Sequence, residues 1–114
     1  MRIPDAENAT VEIRKLRDYC LNPEHPEGKH KARLFVAALG MTEADAEPLR
    51  DALLQVVKSH DATLGRRDAY GQRYQIDFAF DRHGRQTILR SGWIIEHGSD
   101  VPRLTLLSPL KEAQ

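Results

Sequence analysis

The sequence predicts an α+β fold in which about three N-terminal helices pack on a C-terminal antiparallel β-meander of about four strands. Two observations carry this reading. Apolar residues recur every three to four positions up to about Asp61 and every second position after it, and turn-forming residues then cut the remainder into short alternating runs. Helices first and strands afterwards is the pattern of a helical layer covering one face of a sheet. At 114 residues the chain is expected to form a single domain, 1–114, with a helical part at 1–61, a sheet at 62–110 and a tail at 111–114.

Each element follows from its local residues. Thr10 is placed to cap a first helix in which Ile13, Leu16, Tyr19 and Cys20 form the apolar stripe. Leu21-Asn22-Pro23 should end it, because Asn tolerates the left-handed position after a helix and proline cannot continue one. Ala32, Phe35, Val36 and Leu39 define a second helix from about Lys29 to Leu39, closed by Gly40. Leu49, Leu53, Val56 and Val57 define a third, from about Ala46 to Ser59, with Pro48 tolerable in its first turn. Tyr74, Ile76, Phe78 and Phe80 then alternate with Arg73, Gln75, Asp77 and Ala79 as a strand with one buried face. Asp81-Arg82-His83-Gly84 reads as a hairpin turn into a strand at Gln86 to Glu96, and His97-Gly98-Ser99-Asp100 as the next turn. Leu104 to Ser108 makes the last strand, and Ala62 to Arg67 a weaker first one.

Composition excludes several classes. Forty per cent hydrophobic residues against 30% charged, with a mean hydropathy of -0.56, suffices for a core and argues against disorder. Seventeen basic and seventeen acidic residues cancel, so any anion site must be local rather than a property of the whole surface. Cys20 is the sole cysteine, which excludes an internal disulfide or a multi-cysteine zinc site, and its spacing makes it a core residue. The start MRIPDAENAT has neither the basic residues nor the apolar stretch of a signal peptide, so a cytoplasmic location without a membrane partner is expected. The closely spaced acids Glu43, Asp45 and Glu47 fall at a helix start, where they complement the dipole; neither a metal nor another cofactor is expected.

The most informative stretch is Gly28-Lys29-His30-Lys31-Ala32-Arg33. It puts cations into the first turn of the second helix, where the dipole is already positive and each costs about 0.3–1 kcal/mol at an exposed site. A phosphate would reverse those penalties, so Lys29, Lys31 and Arg33 are candidate anion ligands, unless Glu24 and Glu27 neutralise the cluster at the surface. His30, pointing away from the apolar stripe among these cations, is a candidate general base; His25 in the preceding turn is a lesser candidate. His60, His83 and His97, at a helix end or in turns, read as ordinary surface residues. In the third strand Arg90-Ser91-Gly92-Trp93 interrupts an apolar run, and the bare glycine suggests a bulge or a close approach, with Arg90 and Ser91 candidates for phosphate contact and Trp93 a core aromatic. At the start of the last strand, alternation places Arg103 and Thr105 on one face and Leu104 and Leu106 on the other. The basic start of the second helix and Arg90 are expected to converge on one concave surface, since both break local preferences.

The segments Asn22-Pro23-Glu24-His25-Pro26 with Gly28-Lys29-His30-Lys31-Ala32-Arg33, and later Trp93-Ile94-Ile95 with Pro102-Arg103-Leu104-Thr105, together resemble a bacterial family of unknown function. Its members occur free-standing and as the C-terminal domain of large adhesin-type toxins. The order of helices and meander is also similar to the barnase, EndoU, colicin and RelE group of metal-independent ribonucleases, an analogy of fold. The resemblance implies a toxin of a bacterial toxin–antitoxin pair, a hydrolase of cellular RNA with transfer RNA among its candidate substrates, and a small β-rich antitoxin as partner. The expected reaction is attack of a 2′-hydroxyl on its own phosphate. His30, Lys29, Lys31, Arg90 and Thr105 would form the catalytic set, with Arg33, Arg103, Ser91 and His25 holding phosphate or RNA. The alternative is a non-catalytic protein-binding module, which zero net charge and 6% aromatic content favour.

Overall fold

The computed structural model describes residues 1–110; the tail expected at 111–114 lies outside the described residues. A short 3-10 turn, Ala6–Asn8, precedes helix α1, Ile13–Lys15, which runs on as a π-helical segment, Leu16–Cys20. Leu21 N–H reaches the Leu16 carbonyl at 2.9 Å, and this wider turn brings Leu16, Cys20 and Leu21 together into the core. Thr10 does not cap this helix. It forms a parallel bridge with Arg103, its N–H donating to the Pro102 carbonyl and its carbonyl accepting from Leu104 N–H, so it serves the sheet instead. Asn22 does not adopt the left-handed conformation expected of it; its side chain ties the turn, donating to the Asp18 carbonyl and accepting from Glu24 N–H.

Helix α2, Lys29–Leu39, ends at Gly40, and a 3-10 turn, Glu43–Asp45, leads into α3, Ala46–Ser59. Ala32, Phe35 and Leu39 are buried, but Val36 is 50% exposed: it opens onto a groove beside Leu21 and Pro23, so the stripe is one residue narrower than its spacing implied. On α3, Leu49, Leu53, Val56 and Val57 are buried as expected.

The strands are β1, Thr63–Arg67; β2, Gly71–Arg82; β3, Arg85–Glu96; and β4, Arg103–Pro109. They form one antiparallel sheet in the order β1-β2-β3-β4. His83 and Gly84 both take positive φ, 49° and 80°, giving the two-residue turn whose twist suits a hairpin. Tyr74, Ile76 and Phe78 of β2, Leu89 and Trp93 of β3, and Leu104 and Leu107 of β4 face the helices and close the core around Phe35, Leu49 and Leu53. Among the described residues no helix covers the other face of the sheet, as one face of an antiparallel sheet allows.

The hairpin is pinned to the helices by Arg82. Its guanidinium donates to the carbonyls of Leu39 and Gly40, at 3.0 and 3.2 Å, and to the Asp45 carboxylate at 2.9 Å, covering the C-terminus of α2. Arg82→Ala is expected to lower unfolding free energy by about 1–3 kcal/mol in a urea titration. Burial alone would raise the Asp45 carboxyl, but the Thr42 N–H and Arg82 outweigh it and hold it below its ordinary value. The stabilisation is therefore present above about pH 4 and is lost as pH falls through the lowered folded value. The acid limb of stability should be shallower in Arg82→Ala.

Candidate functional site

The turn before α2 explains much of the unusual motif at its start. His25 Nδ1 accepts hydrogen bonds from Glu27 N–H at 3.0 Å and Gly28 N–H at 2.9 Å, so the ring carries its proton on Nε2. The same ring stands edge-on to Tyr19, centroids 4.8 Å apart. Gly28 is forced by proximity, since a Cβ there would lie 2.2 Å from the Tyr19 carbonyl oxygen. Gly28→Ala should therefore cost about 1–3 kcal/mol, read as a lower urea midpoint with unchanged slope. The Lys31 ammonium lies 5.7 Å from the Tyr19 ring centroid, and burial, with Lys15 nearby, pulls its pKa below the ordinary lysine value. Burial likewise pushes the Cys20 thiol up, and its Sγ lies 3.7 Å from the Leu107 carbonyl. His25 and Lys31 thus have structural occupations.

Lys29, His30 and Arg33 do not. Among the described residues no carboxylate lies within 4.0 Å of Lys29, Lys31 or Arg33, so Glu24 and Glu27 do not neutralise them by direct pairing. His30 and Arg33 are exposed and Lys29 half-buried at the helix start. Further along the same helix, Arg33 borders an apolar groove of about 270 Å³ formed by Leu21, Pro23, Ala32, Val36 and Ala37.

The second group lies on the open face of the sheet. Leu89, Ser91 and Trp93 are fully buried on the helix side, so alternation aims Arg90 the other way. There Arg90 makes a two-pronged ion pair with Asp77, at 2.9 and 3.0 Å, which raises its already high pKa. Arg103 pairs with Glu96 at 3.2 Å. Gly92 faces Leu106 and Trp93 faces Leu104, which leaves Thr105 as an extra residue, a bulge. The bulge corrects the face assignment in β4: Leu104 and Leu107 point inward and Leu106, 42% exposed, points outward. It also accounts for the glycine, because a Cβ at Gly92 would stand 3.1 Å from Leu106 Cβ and 3.3 Å from Thr105 Oγ1. Beside it a groove of about 440 Å³ is lined by Arg66, Arg73, Gln75, Gly92 and Thr105.

The expected convergence of the α2 cluster with Arg90 does not occur: α2 packs on the covered face and Arg90 projects from the open one. What adjoins the α2 cluster is the edge strand β4. There Cys20 Sγ lies 3.7 Å from the Leu107 carbonyl, whereas Thr105 faces the open-face groove beside Gly92. Ser91 is not available to a ligand; its hydroxyl donates to the Ile76 carbonyl and accepts from Trp93 Nε1–H, both at 2.9 Å. Sequence reasoning missed Arg66, Arg73 and Gln75. Arg73 and Gln75 stood in plain alternation with buried neighbours, but only the strand register sets Gln75 opposite Gly92.

Among the described residues no group of three or more His, Cys, Asp or Glu side chains is arranged to hold a metal ion, and no helix is long and apolar enough to cross a membrane. A family model described as "Domain of unknown function (DUF6883)" matches residues 2–111. A search of curated proteins finds no match. Among solved structures, a chain of the contact-dependent growth inhibition toxin–immunity protein complex from Klebsiella pneumoniae 342 has a similar fold. It is 15% identical, with a TM-score of 0.64 over 94% of this chain and 97% of that one.

Proposed function

The chain belongs to the DUF6883 family, and from the arrangement of its charges we propose that it is a toxin-like endoribonuclease that cleaves cellular RNA without a metal ion. The observation that carries this is the cationic start of α2, where Lys29, His30 and Arg33 lack carboxylate partners among the described residues. A helix N-terminus with unpaired cations favours a bound phosphate, and a histidine among them supplies a base. In this reading His30 takes the 2′-hydroxyl proton, the freed oxygen attacks the adjacent phosphorus, and Lys29 and Arg33 hold the charge that develops on the phosphoryl oxygens. Thr105 opens onto the groove beside Gly92 on the open face of the sheet and does not join them. Arg90, turned to the opposite face and neutralised by Asp77, leaves the catalytic set. Lys31 and His25 act by shaping the turn.

The fold shared with a chain of a toxin–immunity complex supports the toxin-like character and a cognate inhibitor protein as partner. The apolar groove next to Arg33 favours a second reading, a protein-binding module without catalysis. Induced expression in bacteria separates the two. Growth arrest with fragmented RNA, relieved by His30→Ala, is the expected result; undisturbed growth and intact RNA would favour the binding module.

A further inference from the structure

We infer that the groove on the open face of the sheet, between Arg66 and Arg73 on one side and Thr105 on the other, is a track for the phosphodiester backbone of single-stranded RNA. The inference rests on the RNA-cleaving reading and extends its substrate beyond the cleaved phosphate. Charge balance is the first argument. Arg66 and Arg73 share one carboxylate, Asp68 Oδ2, at 2.9 and 2.7 Å, so one positive charge is left over, whereas Arg90 and Arg103 are each matched by an acid of their own. These contacts, with the N–H of Tyr70, hold the Asp68 carboxyl well below the usual carboxylate range, so the acid stays ionised and keeps both guanidiniums in place.

Geometry is the second argument. Both arginines are tied to Asp68 through Nε, and among the described residues their terminal amino groups make no other hydrogen bond, which leaves them free to bind phosphate oxygens. The groove passes Gly92, where Leu106 and Thr105 close over the missing side chain and present their own outer atoms to it. The Gln75 amide and the Thr105 hydroxyl, neither engaged in a hydrogen bond among the described residues, face the same groove as polar partners for ribose or phosphate, and exposed Leu106 supplies an apolar rest for a base.

The test is fluorescence anisotropy with a labelled single-stranded 2′-O-methyl oligoribonucleotide, which 2′-hydroxyl attack cannot cleave, titrated at several salt concentrations. The Arg66 side chain is 74% exposed, so Arg66→Ala should leave the fold intact. It is expected to weaken binding by about 5–10-fold at low salt and to reduce the slope of log affinity against log salt by about 0.7. Gln75→Ala should weaken binding without changing the slope, and Lys58→Ala, at the exposed end of α3, should change neither. Wild-type affinity and slope in both Arg66→Ala and Gln75→Ala would overturn the proposal, as would a wild-type protein that does not bind the oligonucleotide. Polyglutamate that binds in its place with the same dependence on Arg66 would assign the groove to an acidic protein and overturn it too. Binding that depends on Arg66 in a protein that cleaves no RNA would sustain the groove and refute the ribonuclease reading alone.

Discussion

Replacing His30 by alanine is expected to reduce the rate of RNA cleavage by about 10²–10⁴-fold, the range for loss of a general base, with the thermal transition unchanged. The fold should not notice, because His30 is exposed on α2 and no core contact depends on it. Loss of Lys29 or Arg33 should also slow the reaction, by about 10²–10³-fold if each stabilises the charge on the phosphorus. Arg90→Ala should leave the rate near wild type, since Arg90 lies on the face opposite α2 and is bound to Asp77. Single-turnover kinetics on a defined RNA, with circular dichroism on each variant, separates these outcomes.

The largest expected effect on stability is that of Trp93→Ala, about 3–5 kcal/mol. Trp93 is 0% exposed in the middle of the sheet, and its Nε1–H donates to Ser91 Oγ, which donates in turn to the Ile76 carbonyl. Truncation removes the largest fully buried side chain and one of the two partners of the Ser91 hydroxyl. Against a total stability of about 5–15 kcal/mol for a domain of this kind, that loss would leave a substantial unfolded fraction at growth temperature. Urea denaturation measures it directly. Ser91→Ala should lower stability and leave RNA affinity alone, since its hydroxyl is committed to the core.

The architecture was legible because hydrophobic period is a local property. Ala32, Phe35 and Leu39 mark one helix face and Tyr74, Ile76 and Phe78 one sheet face with no knowledge of what they meet. The candidate site was legible only in part. Lys29, His30 and Arg33 violate helix electrostatics within a few residues, so a single sequence reveals them. Whether Arg90 joins them depends on which face of β3 it occupies relative to α2, and that is a tertiary fact. Thr105 shows the same limit from another side: simple alternation put Leu106 inside with Leu104, and one inserted residue in the β4 register turned it outward. Val36 looked internal by spacing, yet it lines the groove beside Leu21 and Pro23, which belong to other segments of the chain, and stays half exposed. The contacts of Lys31 and His25 with Tyr19 were not legible, because Tyr19 belongs to a different element.

In the proposed reaction, groups at the start of α2 without carboxylate partners among the described residues cleave RNA through its own 2′-hydroxyl. The most direct measurement is to incubate the purified protein with total cellular RNA in excess EDTA and to determine the chemistry of the new ends. The expected fragments end in a 2′,3′-cyclic or 3′ phosphate with a 5′-hydroxyl on the other piece, form in EDTA and are abolished in His30→Ala. Cleavage that stops in EDTA and returns with magnesium, or that leaves 5′ phosphates, would contradict the proposed reaction.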